Sequence, residues 1–270
     1  MDTSSLTKKR IEELLQEGKR FDGRKPLEFR KIEIETGISK NAEGSARVRI
    51  GDTEVLVGVK MDVGEPFTDS PDSGALIVNA ELLPLASRKF ESGPPQIQAI
   101  ELARLVDRGI RESEFVDLKK LGIKSGEKVW AVFVDIYPIN DDGNLIDAAA
   151  LAAVAALKTA VLPVLKDDKV QYGEFTTKGL PLKEMPITIT CYKIGDSFVL
   201  DPTSQEEDSA KVRVTVTMTF DKETYIHALQ KSGEGALSEE EILEIIKIAE
   251  TEGKKLLKRF DEFLKKTAPK

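Results

Sequence analysis

Apolar and polar residues alternate with period two over Lys31–Glu35 and Ser45–Ile50, the signature of half-buried strands. Gly51-Asp52-Thr53 then turns the chain back into a third alternating run, Glu54–Asp62. A loop rich in Gly, Pro, Asp and Ser (Gly64–Gly74) separates these strands from a fourth, Ala75–Leu82. Gly93-Pro94-Pro95 breaks the pattern, and over Gln96–Glu112 the apolar residues recur at helical spacing. A longer apolar strand, Val129–Ile139, passes through Asp141-Asp142-Gly143-Asn144 into an Ala-rich helix that starts near Leu145 and ends near Val161. The N-terminal stretch through Arg20 is predicted as a capped surface helix, followed by the basic loop FDGRKPLEFR. Val164–Pro186, of mixed polarity with scattered Gly and Pro, is predicted as a connection. Beyond it, strands at Ile187–Lys193, Phe198–Leu200, Lys211–Phe220 and Tyr225–Gln230 precede a long helix from Ser238, where Ser238 and Glu241 form a capping box. Both halves run strands first and helix later. This predicts an α+β fold of two similar lobes, residues 1–163 and 187–270, joined by 164–186.

Bulk properties narrow the function. A chain of 270 residues has ample length for a real core, and no run of about 18 apolar residues suggests a membrane span. The N-terminus has no apolar signal region, so a cytoplasmic location is expected. A single cysteine, Cys191, leaves no internal disulfide and no Cys-based metal site, and a single histidine, His227, leaves no His cluster. Both are predicted to be packing residues in strands. High charge (32%) with only four Asn and six Gln is a pattern that suits a thermophile. The net charge of −7 argues against a protein that coats nucleic acid everywhere, so any such role needs a local basic patch.

One such patch is legible in the helix QIQAIELARLVDRGIRESEF. At 100° per residue Arg104, Arg108 and Arg111 share a sector of about 60°, opposite Ala99, Leu102, Ala103, Val106 and Ile110. Two readings fit this spacing. One is a solvated face in which Glu101 and Asp107 pair with the arginines. The other is a phosphate-binding stripe, because arginines at i and i+4 stand roughly 6 Å apart, close to successive phosphates of a single strand.

A second candidate is the turn before the Ala-rich helix. Backbone N–H groups at a helix start reached through a Gly turn are a natural anion site. Here the turn carries Leu145 and Ile146 with three carboxylates, Asp141, Asp142 and Asp147, which repel phosphate. The loop Leu200–Ala210 holds four carboxylates, which can bind a divalent ion or act as a general acid, or form an acidic solvated loop. Lys231-Ser232-Gly233-Glu234-Gly235 lacks the ending and context of a phosphate loop and is predicted as a turn.

Five motifs, in order over roughly residues 20–260, carry a family resemblance: FDGR (Phe21–Arg24), GSARVRIGDTEVLVGVK (Gly44–Lys60), ELARLVDRGIR (Glu101–Arg111), the strand-DDGN-helix unit and LDPTSQEED (Leu200–Asp208). Together they resemble the RNase PH family of phosphate-dependent 3′-exoribonucleases. Within it the likeness is closest to the non-catalytic RNase PH-like subunits of the archaeal exosome, including the LLPLA segment (Leu82–Ala86) and the GPP turn.

The resemblance implies two βββαβα-type lobes with mixed sheets packed on helices. It also implies a hexameric ring of three heterodimers with a catalytic RNase PH-like partner, RNA-binding cap subunits and single-stranded RNA as ligand. Active family members carry a Gly-Thr/Ser-Arg phosphate triplet where this chain has Asn144-Leu145-Ile146. The resemblance therefore implies no catalytic residue, metal or cofactor here, with inorganic phosphate used by the partner. Asp201 and the acids after it match the loop where active members keep a catalytic Asp. Without a phosphate site beside them, and with a loop one residue longer than in bacterial members, Asp201 and Asp208 receive no catalytic role. The RLxxRxxR pattern, by contrast, implies that Arg104, Arg108 and Arg111 grip RNA. The competing expectations are a self-sufficient phosphate-dependent 3′-exoribonuclease and a pure scaffold.

Overall fold

The computed structural model describes residues 3–166 and 169–267, the last four by backbone alone, so the outermost ends of the predicted lobes (1–2 and 268–270) lie outside the described residues. Helix α1 (Ser5–Gln16) opens with Ser4 as N-cap, its Oγ accepting from the Thr7 N–H. Strands β1 (Ile32–Thr36), β2 (Gly44–Ile50), β3 (Thr53–Gly64) and β4 (Ala75–Ala80) lead into α2 (Ile97–Glu112). A short 3-10 turn, β5 (Gly122–Lys124), β6 (Lys128–Asn140) and α3 (Leu145–Thr159) complete the first lobe. Its sheet runs β1-β2-β3-β6-β4, with β5 beside β6, and is antiparallel except for the β4–β6 pair. The predicted alternation gives the inner face: Ala46, Val48, Ile50, Val55, Val57 and Val59 are all fully buried.

The interval predicted as a plain connection is more ordered than that. Strands β7 (Val161–Lys166) and β8 (Lys169–Gly179) form a separate antiparallel ribbon, whose bulges and largely exposed residues hide any clean two-residue alternation. The second lobe contains β9 (Ile187–Ile194), β10 (Ser197–Leu200), the single turn α4 (Ser204–Glu207), β11 (Val212–Phe220), β12 (Thr224–Ser232) and α5 (Glu239–Thr267). Its sheet, β10-β9-β11-β12, is entirely antiparallel rather than mixed. Ser238 and Glu241 make both bonds of the predicted capping box before α5. Cys191 is buried in β9, and His227 in β12 pairs through Nε2 with Thr219 Oγ1 at 2.8 Å.

Helix α3 lies between the two sheets, against β2 and β3 on one side and β9 on the other. Every residue from Ile146 to Leu157 is buried, as expected of a helix that is apolar all round. Its alanines let strand backbone come close: a Cβ on Gly44 would stand 2.3 Å from the Ala156 carbonyl oxygen. Among the described residues no helix is long and apolar enough to cross a membrane.

Candidate functional site

The start of α3 is where the two lobes meet. Gly143 adopts φ 83° and packs so tightly that a Cβ would lie 2.5 Å from the Pro202 carbonyl oxygen, so only glycine fits. Asn144 follows in the left-handed region (φ 58°, ψ 36°), a conformation that Asn tolerates better than most residues. Thr53 Oγ1 anchors the turn twice, donating to the Gly143 carbonyl at 2.7 Å and accepting from the Asp142 N–H at 3.1 Å.

The acidic loop is not the solvated segment its composition suggested. Asp201 and Glu206 are buried, and three arginines answer them, Arg20 just before the basic loop and Arg24 and Arg30 within it. Arg20 forks onto Glu206, Nε to Oε1 at 2.8 Å and Nη2 to Oε2 at 2.5 Å, and also bonds the Leu200 and Asp201 carbonyls. Asp201 accepts from Arg30 (N, Nε and Nη2), Arg24 Nη1 and Asn144 Nδ2, at 2.7–3.0 Å. Arg30 also reaches Asp142 and the Gly143 carbonyl. Burial works against the Arg30 charge, but its bonds to Asp201 outweigh that and raise its pKa. Asp201 is thus saturated by the fold. Asp208, further along, is held by Lys89 Nζ at 2.6 Å and by Thr3 through both its N–H and its hydroxyl. Against the opposing effect of burial, those bonds keep its carboxyl below the usual range.

The carboxylates at the α3 start are redistributed relative to the sequence expectation. Of the three predicted there, Asp147 turns away into the second lobe, where Thr190 donates through its N–H and its hydroxyl at 3.2 and 2.7 Å. It is fully enclosed, and burial pushes its pKa up to about 7 despite those bonds. Asp142 is taken up by Arg30 and Ser204. Only Asp141 still lines the cavity at the helix start, and sequence reasoning missed the residue that joins it. Glu207 Oε2 accepts from the Asn144 N–H at 3.1 Å, and its Oε1 accepts from Tyr192 Oη at 3.0 Å. A carboxylate of the chain itself therefore sits on the α3 amide that an anion would use. Burial, then the nearby Asp141, raise the pKa of Glu207. The only hint in the sequence was that a basic loop and an acidic loop far apart had complementary charge.

The cavity in front of this turn, about 210 Å³, is lined by Leu145 and Ile146, four carboxylates (Glu101, Asp141, Glu207, Asp208) and two cations, Lys89 and Arg213. Both cations are already paired, Lys89 with Asp208 and Arg213 with Glu101. Phosphate entering here would meet aliphatic carbon, excess acid and no uncommitted cation.

Helix α2 presents the opposite condition. Ala99, Leu102, Val106 and Ile110 are buried, as the helical wheel predicts, whereas Ala103, expected on the same face, is half-buried at its edge; Arg104, Arg108 and Arg111 are exposed on the other side. Asp107 pairs with Arg111, which also donates to the Leu76 carbonyl at 3.0 Å. Glu101, expected to pair within the helix, instead reaches across to Arg213 of the second lobe. Arg104 and Arg108 make no hydrogen bond or ion pair with the described residues, and both line a groove of about 550 Å³ floored by Ala99, Ile100 and Ala103.

The profile of the 3′ exoribonuclease family (RNase PH), domain 1, matches residues 28–163, and that of domain 2 matches residues 184–252. The chain is 50% identical over 251 residues to the exosome complex component Rrp42 of Methanocella arvoryzae, covering 93% of this chain and 94% of that relative. It is 48% identical over 248 residues to the Rrp42 of Archaeoglobus fulgidus, covering 92% and 93%. Among solved structures it is similar to a chain of the Archaeoglobus fulgidus exosome with RNA bound to the active site, at TM-score 0.86 and 45% identity, covering 94% of this chain and 98% of that one. An archaeal exosome core chain matches at TM-score 0.83 and 43% identity, over 95% of this chain and 96% of that one. With both lobes matched by the profiles and these relatives aligned nearly end to end, the chain belongs to the RNase PH (3′ exoribonuclease) family.

Proposed function

We propose that this chain is a non-catalytic subunit of an RNA exosome ring. It lies beside a catalytic RNase PH-like partner in a hexamer of three heterodimers, onto which RNA-binding cap subunits dock. It holds single-stranded RNA with Arg104 and Arg108 while the partner binds inorganic phosphate and cleaves from the 3′ end. The names of the similar proteins support the assembly, and the RNA-bound neighbour supports the substrate. One observation carries the non-catalytic reading: Glu207 occupies the Asn144 amide at the start of α3. Phosphorolysis requires orthophosphate to be oriented for attack on the terminal phosphodiester, releasing a nucleoside diphosphate. A helix start whose Asn144 amide is held by the half-buried Glu207, with Leu145 and Ile146 beside it and both nearby cations paired, offers orthophosphate no uncommitted positive charge.

The RNA reading rests on the contrast in pairing. Arg111 is engaged twice within the protein, whereas Arg104 and Arg108 extend over a groove with nothing yet to hold. Arg binds phosphate oxygens in a two-pronged manner, and its charge is lost at no accessible pH. The test is reconstitution. The purified chain with phosphate and poly(A) should release no nucleoside diphosphate, and adding the catalytic partner should start release. Turnover by the chain alone would overturn the reading in favour of a self-sufficient exoribonuclease.

A further inference from the structure

The cavity at the α3 start contains two cations that bind no ligand in the proposed reading, and one of them ties the lobes together. Arg213, on β11 of the second lobe, meets Glu101 of α2 at 2.5 Å. Around it stand Tyr192 and Glu207, also of the second lobe, and Glu207 in turn holds the α3 start. Burial opposes the Arg213 charge, but its bond to Glu101 and the nearby Tyr192 and Glu207 hold its pKa above the usual range.

Helix α2 lacks the usual means of fixing its N-terminal end. Its N-cap, Gln96, makes no side-chain capping bond, and its first turn contains no acid. Further along, Gly109 lies so close to the second lobe that an added Cβ would stand 3.2 Å from Thr217 Oγ1. The helix thus meets the second lobe through the Glu101–Arg213 pair, at Gly109 and against β12. Glu101 and Arg108 are seven residues apart, which returns them to within about 20° of one another around the helix. Whatever fixes Glu101 also fixes the direction of Arg108, and of Arg104 between them.

We propose that Arg213 is a positioning residue for RNA binding: by holding Glu101 it sets the rotation of α2 that aims Arg104 and Arg108 along the groove. The pocket whose phosphate role is gone serves as a brace between the lobes. This rests on the RNA reading of α2, and its decisive feature is a sign. Glu101→Gln removes a negative charge one turn from Arg104, so simple electrostatics predicts tighter RNA binding. The brace predicts weaker binding.

The experiment uses the ring reconstituted with its catalytic partner and a fluorescein-labelled single-stranded RNA, with affinity read by anisotropy across a salt series. Glu101→Gln and Arg213→Met should each weaken binding about tenfold, and the double variant should be no worse than either single one. The slope of log Kd against log salt should fall toward that of Arg104→Glu with Arg108→Glu, as expected when phosphate contacts are lost. Arg213→Lys should recover most of the affinity. Assembly mass and melting temperature report whether each variant folds, and if Arg213→Met fails to fold, the near-isosteric Glu101→Gln decides alone. Unchanged or tighter binding by Glu101→Gln, in a ring where the double arginine reversal abolishes binding, overturns the brace and leaves the RNA reading standing. If the arginine reversal itself has no effect, the RNA reading fails first.

Discussion

The start of α3 and the exposed face of α2, in the same lobe, have opposite electrostatic fates. At α3 each nearby charge has an internal answer: Asp201 has Arg24 and Arg30, Asp142 has Arg30, Asp208 has Lys89, and Glu207 has the Asn144 amide. On α2, Arg104 and Arg108 have none among the described residues. Both are exposed and solvated, so without an internal partner they stay free to engage a ligand, whereas the charges at the α3 start are already held by the protein. Family membership alone would make both regions functional. Their pairing separates a helix start whose charges are answered internally from a helix face whose arginines are not.

The largest expected effect tests the α3 start. Arg20→Met strands the Glu206 carboxylate, which has 3% side-chain exposure, and should destabilise the fold by about 3–5 kcal/mol in denaturant titrations. Arg20→Met combined with Glu206→Leu should recover part of that loss, because an apolar pair leaves no buried charge behind. An effect near zero for the single variant would mean that the network does not hold the turn.

Acidity gives a comparable effect. Asp147 has a folded pKa of about 7, above its unfolded value, so the folded state retains its proton longer than the unfolded state does. Its contribution is complete below about pH 4, declines as pH rises, and levels off above about pH 7, a loss on the order of 4 kcal/mol. Relative to Asp147→Asn, the wild-type protein should therefore lose stability across that window in parallel denaturation series. A parallel pair of curves would show that Asp147 is ionised in the fold throughout.

On α2, Arg104→Glu with Arg108→Glu should weaken RNA binding by at least about 100-fold while leaving assembly mass and melting temperature unchanged. Normal RNA processing by that ring would remove the distinction between the two regions. The smallest effect belongs to Arg111. Because it is already committed to Asp107 and the Leu76 carbonyl, Arg111→Ala should change RNA affinity by less than about threefold. A loss equal to that of Arg104 would show that the internal ion pair opens when RNA binds.

How legible this was from the sequence depended on distance along the chain. The alternation that buries Val48 against Val55, and the wheel that buries Leu102 and Val106 behind exposed arginines, are local properties, and both are present in the fold. The absence of a phosphate triplet at Asn144-Leu145-Ile146 was equally plain. Glu207 was not, because its partners Asn144 and Tyr192 come from other strands and helices, and only the packing of the lobes brings them together. The same holds for Arg20 and Glu206, which are 186 positions apart. The carboxylates also could not be ranked by eye. Asp141, Asp142 and Asp147 read alike in sequence, yet one lines the cavity, one is bridged by Arg30 and one turns into the second lobe. The β7–β8 ribbon escaped because its mostly exposed residues bury no continuous face.

The central claim is that the α3 start is closed to free phosphate, and phosphorus NMR of the isolated chain tests it directly. Titrating inorganic phosphate should produce no saturable broadening or shift at millimolar concentrations, for the wild-type chain as for a variant lacking Arg104 and Arg108. Saturable binding that is lost when Asn144 and Leu145 are altered would contradict the account.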